Sequence, residues 1–484
     1  MHFQKSTLRP ESKKNYLLIL LLREQKLPNF EGQKVSKKVH FISLGCPKNL
    51  VDSEIMLAKL QKQGYEVVED PEEAEALIVN TCGFVEDAKR ESINKILQAS
   101  ELKQTGQLQK LVVAGCLTQR YKDELVEGLP EADLFIGSGQ FQNIDKILND
   151  SFAGKEEKRF FNLPTYLQDE ETPRVNSQLP HRAYLKISEG CKKRCAFCAI
   201  PNIRGNLQSR KLDHIVSEAR LLVAGGVKEL IIISHDFTDY GWDLRKKDPN
   251  SRESHVQLLK ELSEKSGADW IRVLYLYPDG INEEYVDLIK SKENLLNYFD
   301  MPLQHINNQM LKSMNRRMTR EEIEKAIKII RSNIPDAIIR TQFIVGFPGE
   351  TAEQFEELYN FVKEQKFDRV GCFIFSPEEG TKAYSLPDPV DEEVKQIRHD
   401  RLMSLQQEIS REKQQQLLGK NLEVLVEGYS EETDLLLQAR YWGQAPDIDG
   451  VTLINEGSAK VGDKITVEVT DFHDYDLVGS IVSH

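Results

Sequence analysis

Cysteine is scarce in this 484-residue chain, with seven in all, an odd number. Both facts exclude a secreted scaffold stapled by disulfides and favour reduced thiols in a cytoplasmic protein. Long apolar runs are missing too. Residues 16–22 are the only uncharged apolar cluster near the N-terminus, far short of the ~20 residues that cross a bilayer. Arg23-Glu24-Gln25-Lys26 follows without the small-residue cleavage site of a secretory signal. Residues 1–36 therefore read as a short extension, and a soluble protein with no membrane association is expected. Basic charge is in deficit: 64 Lys and Arg stand against 77 Asp and Glu, leaving a net charge of -13. That balance argues against a general nucleic-acid coat. No phosphate-cradling G-x-x-x-x-G-K-[ST] loop is present either. What remains is 40% hydrophobic and 29% charged, enough for real cores and, at ~150 residues per domain, about three domains.

The first of these, residues 37–153, repeats one pattern three times. Residues 39–44 form a buried-strand run ending in Gly45-Cys46, residues 76–80 another ending in Thr81-Cys82, and residues 111–114 a third ending in Gly115-Cys116. Helical periodicity over residues 52–63 and 85–102 fills the gaps, which predicts an α/β fold with parallel strands in a β-α-β-α-β unit. Parallel strands end along one edge, where open α/β sheets bind ligands. Cys46, Cys82 and Cys116 are 36 and 34 residues apart and should converge there as ligands. Three thiols buried as small hydrophobes are the alternative, but that role would not put each one just past a strand.

Residues 154–180 lose the periodicity and carry Pro164, Pro173 and Pro180, the composition of a linker. Strand runs then alternate with helical ones across residues 181–416. Six strands, at 183–188, 229–234, 271–277, 298–303, 338–345 and 369–375, predict a partial (β/α)6 barrel with its chemistry at the C-terminal strand ends. A polar helix over residues 391–418 leads into residues 417–484. There, short alternating runs at 422–426, 435–438, 451–454 and 465–469 predict a small antiparallel β-barrel.

The first barrel strand runs into Glu189-Gly190-Cys191-Lys192-Lys193-Arg194-Cys195-Ala196-Phe197-Cys198. Three closely spaced thiolates can hold three irons of a [4Fe-4S] cubane, leaving the fourth iron open. Zinc is the competing metal, but a structural zinc site takes four protein ligands. His181 and His214, the nearest histidines, stand at no finger-like spacing. Cys372 lies inside an apolar run and reads as core.

The C-x3-C-x-aromatic-C arrangement after a first barrel strand resembles that of the radical S-adenosylmethionine (SAM) enzymes. The resemblance implies that Cys191, Cys195 and Cys198 hold the cluster and that SAM chelates its open iron. One electron, from a donor of flavodoxin or ferredoxin type, would then cleave SAM to methionine and a 5′-deoxyadenosyl radical. It also sets Phe197 against the adenine, with packing inside the loop as its other role. Asp236, Gln304 and Arg340 fall at or near strand ends, where contact with SAM or substrate and a hydrogen bond or salt bridge inside the barrel are both open to them. Ser234-His235-Asp236-Phe237-Thr238 departs from the family, which commonly has Gln and Thr where His235 and Phe237 stand, so no SAM contact is carried over to those two.

The second trio narrows the resemblance to methylthiotransferases, which join a three-cysteine domain, a radical SAM barrel and a C-terminal TRAM β-barrel. It covers nearly all of the chain after the extension. It implies a second [4Fe-4S] cluster on Cys46, Cys82 and Cys116 that handles sulfur, and SAM serving as both methyl donor and radical source. An unactivated C–H bond offers no acid–base route, so such a reaction calls for a carbon radical. The segment from Phe41 to Asn49, Met301-Pro302-Leu303-Gln304-His305, the segment from Arg340 to Glu350 and Ala445-Pro446-Asp447-Ile448-Asp449-Gly450 are similar to the branch that modifies the β-carbon of an aspartate in ribosomal protein S12. The last lies in the tail, the domain that selects the substrate.

TRAM domains often bind RNA, so the charge of the tail matters. Residues 417–484 hold four basic and thirteen acidic side chains, a net -9. Such a surface repels phosphate backbones and attracts a basic partner, unless its charge only keeps the domain soluble. A ribosomal protein fits, and nucleic acid is not expected as substrate. The rival within the class is a tRNA adenosine (C2) methylthiotransferase; the rival outside it is a non-catalytic zinc- or cluster-binding adaptor. The sulfur donor is not legible in the sequence.

Overall fold

The computed structural model describes residues 37–387 and 389–483; the expected extension at 1–36, with its apolar run, lies outside them. The chain separates into two compact units. One runs to Pro180 and takes in Asn202–Gly205; the other comprises His181–Pro201 and Asn206–His484.

In the first unit, β1 (Lys38–Ser43), β2 (Glu66–Val67), β3 (Ala76–Thr81), β4 (Lys110–Gly115), β5 (Leu134–Gly137) and β6 (Arg159–Phe160) form one sheet. Its order is β2-β1-β3-β4-β5-β6, parallel throughout. The central β1, β3 and β4 are the three expected strands. All six residues of β3 are buried, which is why it reads as an apolar run without alternation. β2, β5 and β6 are not expected from the sequence, because two to four residues give too few positions for a periodic signal. β6 falls inside the stretch expected as a linker. Further along that stretch, the buried Glu54 carboxylate accepts hydrogen bonds from Ser177 N and Arg174 Nε, both at 2.8 Å. Residues 154–180 are therefore fastened to the sheet by an added strand and a buried ion pair.

The second unit begins with β7 (Arg182–Lys186), then β8 (Ser188–Glu189) and β9 (Gln208–Ser209), a small antiparallel pair. β10 (Glu229–Ile233), β11 (Trp270–Val273), β12 (Tyr298–Gln304), β13 (Ile338–Val345) and β14 (Arg369–Ile374) follow. β7, β10 and β11 make one parallel sheet, and β12, β13 and β14 another. An isolated parallel bridge between Ile271 and Leu295 and a 2.8 Å hydrogen bond from Leu276 N to Asp300 O join them. The result is the expected six-stranded partial barrel. Its helices start where the sequence supplies caps: Thr319 with Glu322 and Thr351 with Gln354 both close reciprocal capping boxes. Cys372 is in the barrel core, 8% exposed.

After the helix Glu392–Gln415, β15 (Asn421–Tyr429), β16 (Leu437–Tyr441), β17 (Thr452–Glu456), β18 (Lys464–Phe472) and β19 (Leu477–Ser483) close a second, small barrel in the order β15-β16-β17-β19-β18. Ile465, Val467 and Val469 of β18 point into its core at every second residue. β19 is an addition to the four expected strands. It pairs in parallel with β17 while the other pairings are antiparallel.

This small barrel docks on the N-terminal ends of the partial barrel's strands. Glu229, the first residue of β10 and fully buried, lies 2.7 Å from Arg272 Nε and 2.7 Å from Arg440 Nη2. Arg440 Nε is 2.8 Å from Glu427, which also takes Arg182 at 3.0 Å. Asp447 accepts from Tyr184 Oη at 3.1 Å and pairs with Arg182 at 3.3 Å, while Asp449 accepts from Tyr298 Oη at 2.7 Å. Carboxylates and guanidiniums alternate, so each buried charge faces an opposite one. The Ala445–Gly450 motif, expected to belong to substrate selection, has both its aspartates committed to this junction.

Candidate metal centres

Three adjacent parallel strands of the first unit set the first centre. Cys82 and Cys116 immediately follow β3 and β4, and Cys46 follows β1 by three residues. Registers pair Ser43 with Asn80 and Thr81 with Gly115, so the strands end level. Two glycines let the cysteines close up. Gly45 has φ +87°, and a Cβ there would lie 2.7 Å from Cys82 Cβ; Gly115 has φ +99°, and a Cβ there would lie 2.3 Å from Asn80 Oδ1. Asn49, buried beneath, donates to the Leu44 carbonyl at 2.7 Å and the Thr81 carbonyl at 3.2 Å, pinning the turns before Cys46 and Cys82. Burial, and then the neighbouring Cys116 and Cys46 thiols, push Cys82 up to about 12. Burial also raises Cys116, against the opposing field of Arg204. Crowded thiols that resist ionising together form a donor set that a bound metal centre relieves. Gly45→Ala is expected to strain the left-handed backbone by about 1–2 kcal/mol and to press on Cys82. It should lower the iron retained by this trio without touching the other, as measured by iron content and thermal melting.

The second centre is the loop after β7 and β8. Cys195 O accepts from Cys198 N at 3.1 Å, and Cys191 Sγ accepts from Lys193 N at 3.4 Å, so the loop is coiled around its own thiols. Burial, followed by the neighbouring Cys195 thiol, raises Cys198 to about 12; burial also takes Cys191 to about 11. Arg316 Nη1 stands 3.8 Å from Cys195 Sγ, with its guanidinium 4.2 Å from the Tyr277 ring centre. Lys193 reaches Asp279 at 2.7 Å and Asp236 and Asp239 at 3.3 Å each. Among the described residues no three His, Cys, Asp or Glu side chains sit close enough to share a single ion. Each trio supplies three thiols, the number that a [4Fe-4S] cluster with one open iron would take.

The other expected site residues fall in different places. Phe197 is half-buried against the satellite core of Met310, Met314, Phe347 and Phe375. Asp236 lies three residues past β10 and is buried, accepting from Thr238 N at 2.9 Å and Thr238 Oγ1 at 2.6 Å. Burial and the Asp239 carboxylate raise it to about 6, against Lys193. Gln304 ends β12 in a left-handed conformation, φ +73°, as does Tyr275 just past β11, φ +64°; strain of this kind gathers at functional strand ends. Arg340 differs from expectation. It is the third of eight residues in β13, with Nη1 2.8 Å from Asp300 and Nε 3.6 Å from Asp449 of the small barrel. Five further residues of strand separate it from the C-terminal end, so its pairing serves the junction. Phe237 is fully buried against His255 and Tyr285. Arg316 and Arg204 are not singled out by the sequence; no local spacing marks a cation that reaches a thiol through the fold.

Comparison with known proteins agrees with this layout. Residues 38–137 match an uncharacterized protein family, UPF0004, residues 185–362 the radical SAM superfamily and residues 418–482 the TRAM domain. The chain is 69% identical over 447 residues to a ribosomal protein uS12 methylthiotransferase of Bdellovibrio bacteriovorus, covering 92% of this chain and 98% of that one. It is 47% identical over 446 residues to the Clostridioides difficile protein of the same name, covering 92% and 99%. Among solved structures, a radical SAM methyltransferase from Kitasatospora setae, with cobalamin and a [4Fe-4S] cluster bound, superposes with a TM-score of 0.51 at 14% identity, over 72% of this chain and 74% of that one. At that identity the likeness is one of fold.

Proposed function

The chain belongs to the ribosomal protein uS12 methylthiotransferase family, and from that premise we propose that its two cysteine trios divide one reaction between two centres. The enzyme is a radical SAM methylthiotransferase acting on ribosomal protein uS12, with SAM and [4Fe-4S] clusters as cofactors. Cys191, Cys195 and Cys198 would hold one cluster, which would supply the electron for opening SAM, and Cys46, Cys82 and Cys116 would hold the other, which would supply a place to keep sulfur for transfer to an aspartate β-carbon. The observation that carries this reading is that six of seven cysteines form two sets of three, one just beyond the ends of three parallel strands and the other on a single loop after β7 and β8, with no fourth cysteine in either.

The protein's own groups then have definite tasks. Arg316 brings positive charge to Cys195, and the Lys193 ammonium is paired with three carboxylates. Asp236 and Gln304, at C-terminal strand ends, would orient the polar groups of SAM. Phe197, partly buried against its satellite core, would meet the adenine.

The partner follows from charge. Glu427, Asp447 and Asp449 are engaged at the junction, but so is Arg440, the small barrel's one arginine. Glu423, Glu431, Glu432, Asp434, Glu456, Glu468 and Asp471 remain exposed, a surface suited to a basic ribosomal protein and ill suited to tRNA. The one-electron reductant is of flavodoxin or ferredoxin type, and work on a ribosomal protein belongs to the cytoplasm. Among the described residues, no helix is long and apolar enough to cross a membrane. Deleting the gene should remove the methylthio group from uS12 and leave tRNA unchanged, as read by mass spectrometry of both. Loss from tRNA with uS12 unchanged would overturn the assignment.

A further inference from the structure

Six residues after Cys198 in the chain, Arg204 belongs to the compact unit that holds the other trio. It is 1% exposed. Its Nη2 donates to Cys116 Sγ at 3.3 Å and to Asn49 Oδ1 at 3.1 Å, and its Nη1 donates to Asp52 Oδ2 at 2.6 Å. Asp52 is itself buried, on the helix Pro47–Lys62 that starts just after Cys46. The neighbouring Ile203 carbonyl accepts from Ser138 Oγ at 2.9 Å, fixing the segment that carries the arginine.

A buried guanidinium is costly to desolvate and is placed where its hydrogen bonds are used. A carboxylate alone would balance its charge but leave most of its five N–H donors unused. Here one nitrogen instead meets a thiol that is a cluster ligand on the reading above, and Asn49, which pins the turns before Cys46 and Cys82, meets it too. We propose that Arg204 is a positioning residue of the N-terminal centre: it hydrogen-bonds the ligating Cys116 sulfur and sets the reduction potential of the cluster there, with Asp52 as its counterweight. Hydrogen bonds and net charge at the sulfurs are among the factors that fix such potentials. Donation to the sulfur and positive charge stabilise the reduced, more negative cluster; the Asp52 carboxylate opposes this.

The signs give the test. In full-length C191A/C195A/C198A protein, reconstituted anaerobically, only the N-terminal trio can load iron. Midpoint potential and EPR spectrum are measured in that background for R204Q, R204K and D52N. R204Q should move the potential to a more negative value, R204K should move it less, and D52N should move it to a less negative value. Equal potentials in all four proteins would overturn the proposal, as would R204Q and D52N moving the same way, which would mean loosened packing. If R204Q loads no iron, the opposed shifts of R204K and D52N still decide. Failure of the parent itself to bind about four irons would instead overturn the cluster reading on which the proposal rests.

Discussion

Alanine at Cys191, Cys195 or Cys198 is expected to reduce SAM cleavage to background, whereas alanine at Cys46, Cys82 or Cys116 should leave 5′-deoxyadenosine forming while methylthiolated uS12 disappears. The asymmetry follows from the proposed division of labour, in which only the Cys191–Cys198 trio serves SAM cleavage. Each centre has three thiolates, so loss of one leaves two, too few to hold a cubane with an open iron. The trios stand on different elements, one on the turns after β1, β3 and β4 and the other on a single loop after β7 and β8. A substitution in one therefore leaves the other's ligands intact. Iron analysis should give about eight irons for the wild type and about four for a variant of either trio. Identical behaviour of the two sets would overturn the division of labour. Cys372→Ala is the control: this cysteine is buried in the barrel core, so its loss should cost stability and no iron.

Glu229→Gln is expected to be among the most destabilising single substitutions in the second unit. The carboxylate is fully buried between Arg272 and Arg440, and removing its charge leaves two buried guanidiniums facing a neutral group. Breaking a buried pair from one side costs on the order of 3–5 kcal/mol. Thermal melting should show the loss, and limited proteolysis should release the small barrel more readily. Replacing all three groups by apolar residues of similar volume, E229M/R272M/R440M, should recover much of the stability. Burial alone would raise the Glu229 carboxyl, but Arg440 and Arg272 outweigh it and bring it down to about 2, against an ordinary 4.5. A depressed carboxylate stabilises the fold above the ordinary range and loses that effect as pH falls through its folded value. The stability gap between wild type and E229Q should therefore be full above about pH 4.5 and close toward pH 2. A gap independent of pH would mean that the substitution acts through packing.

Much of this protein was legible in its sequence. The strands β1, β3 and β4, each running into a cysteine, and the loop from Cys191 to Cys198 are local patterns; chain geometry alone carries such residues to the ends of parallel strands. The three folds follow from periodicity in the same way. The short strands β2, β5 and β6 escaped, and so did the seven-residue closing strand β19. What the tertiary structure decided is where distant charges meet. Arg204 on Cys116, Arg316 on Cys195, and Glu229 between Arg272 and Arg440 join residues separated by 88, 121, 43 and 211 positions, and no local spacing encodes such pairs. Arg340 and the aspartates of Ala445–Gly450 make the same point from the other side. Read in sequence they suit a cofactor or a substrate, yet packing places them at the barrel's N-terminal end, where the guanidinium and carboxylates satisfy one another because burial leaves them no water.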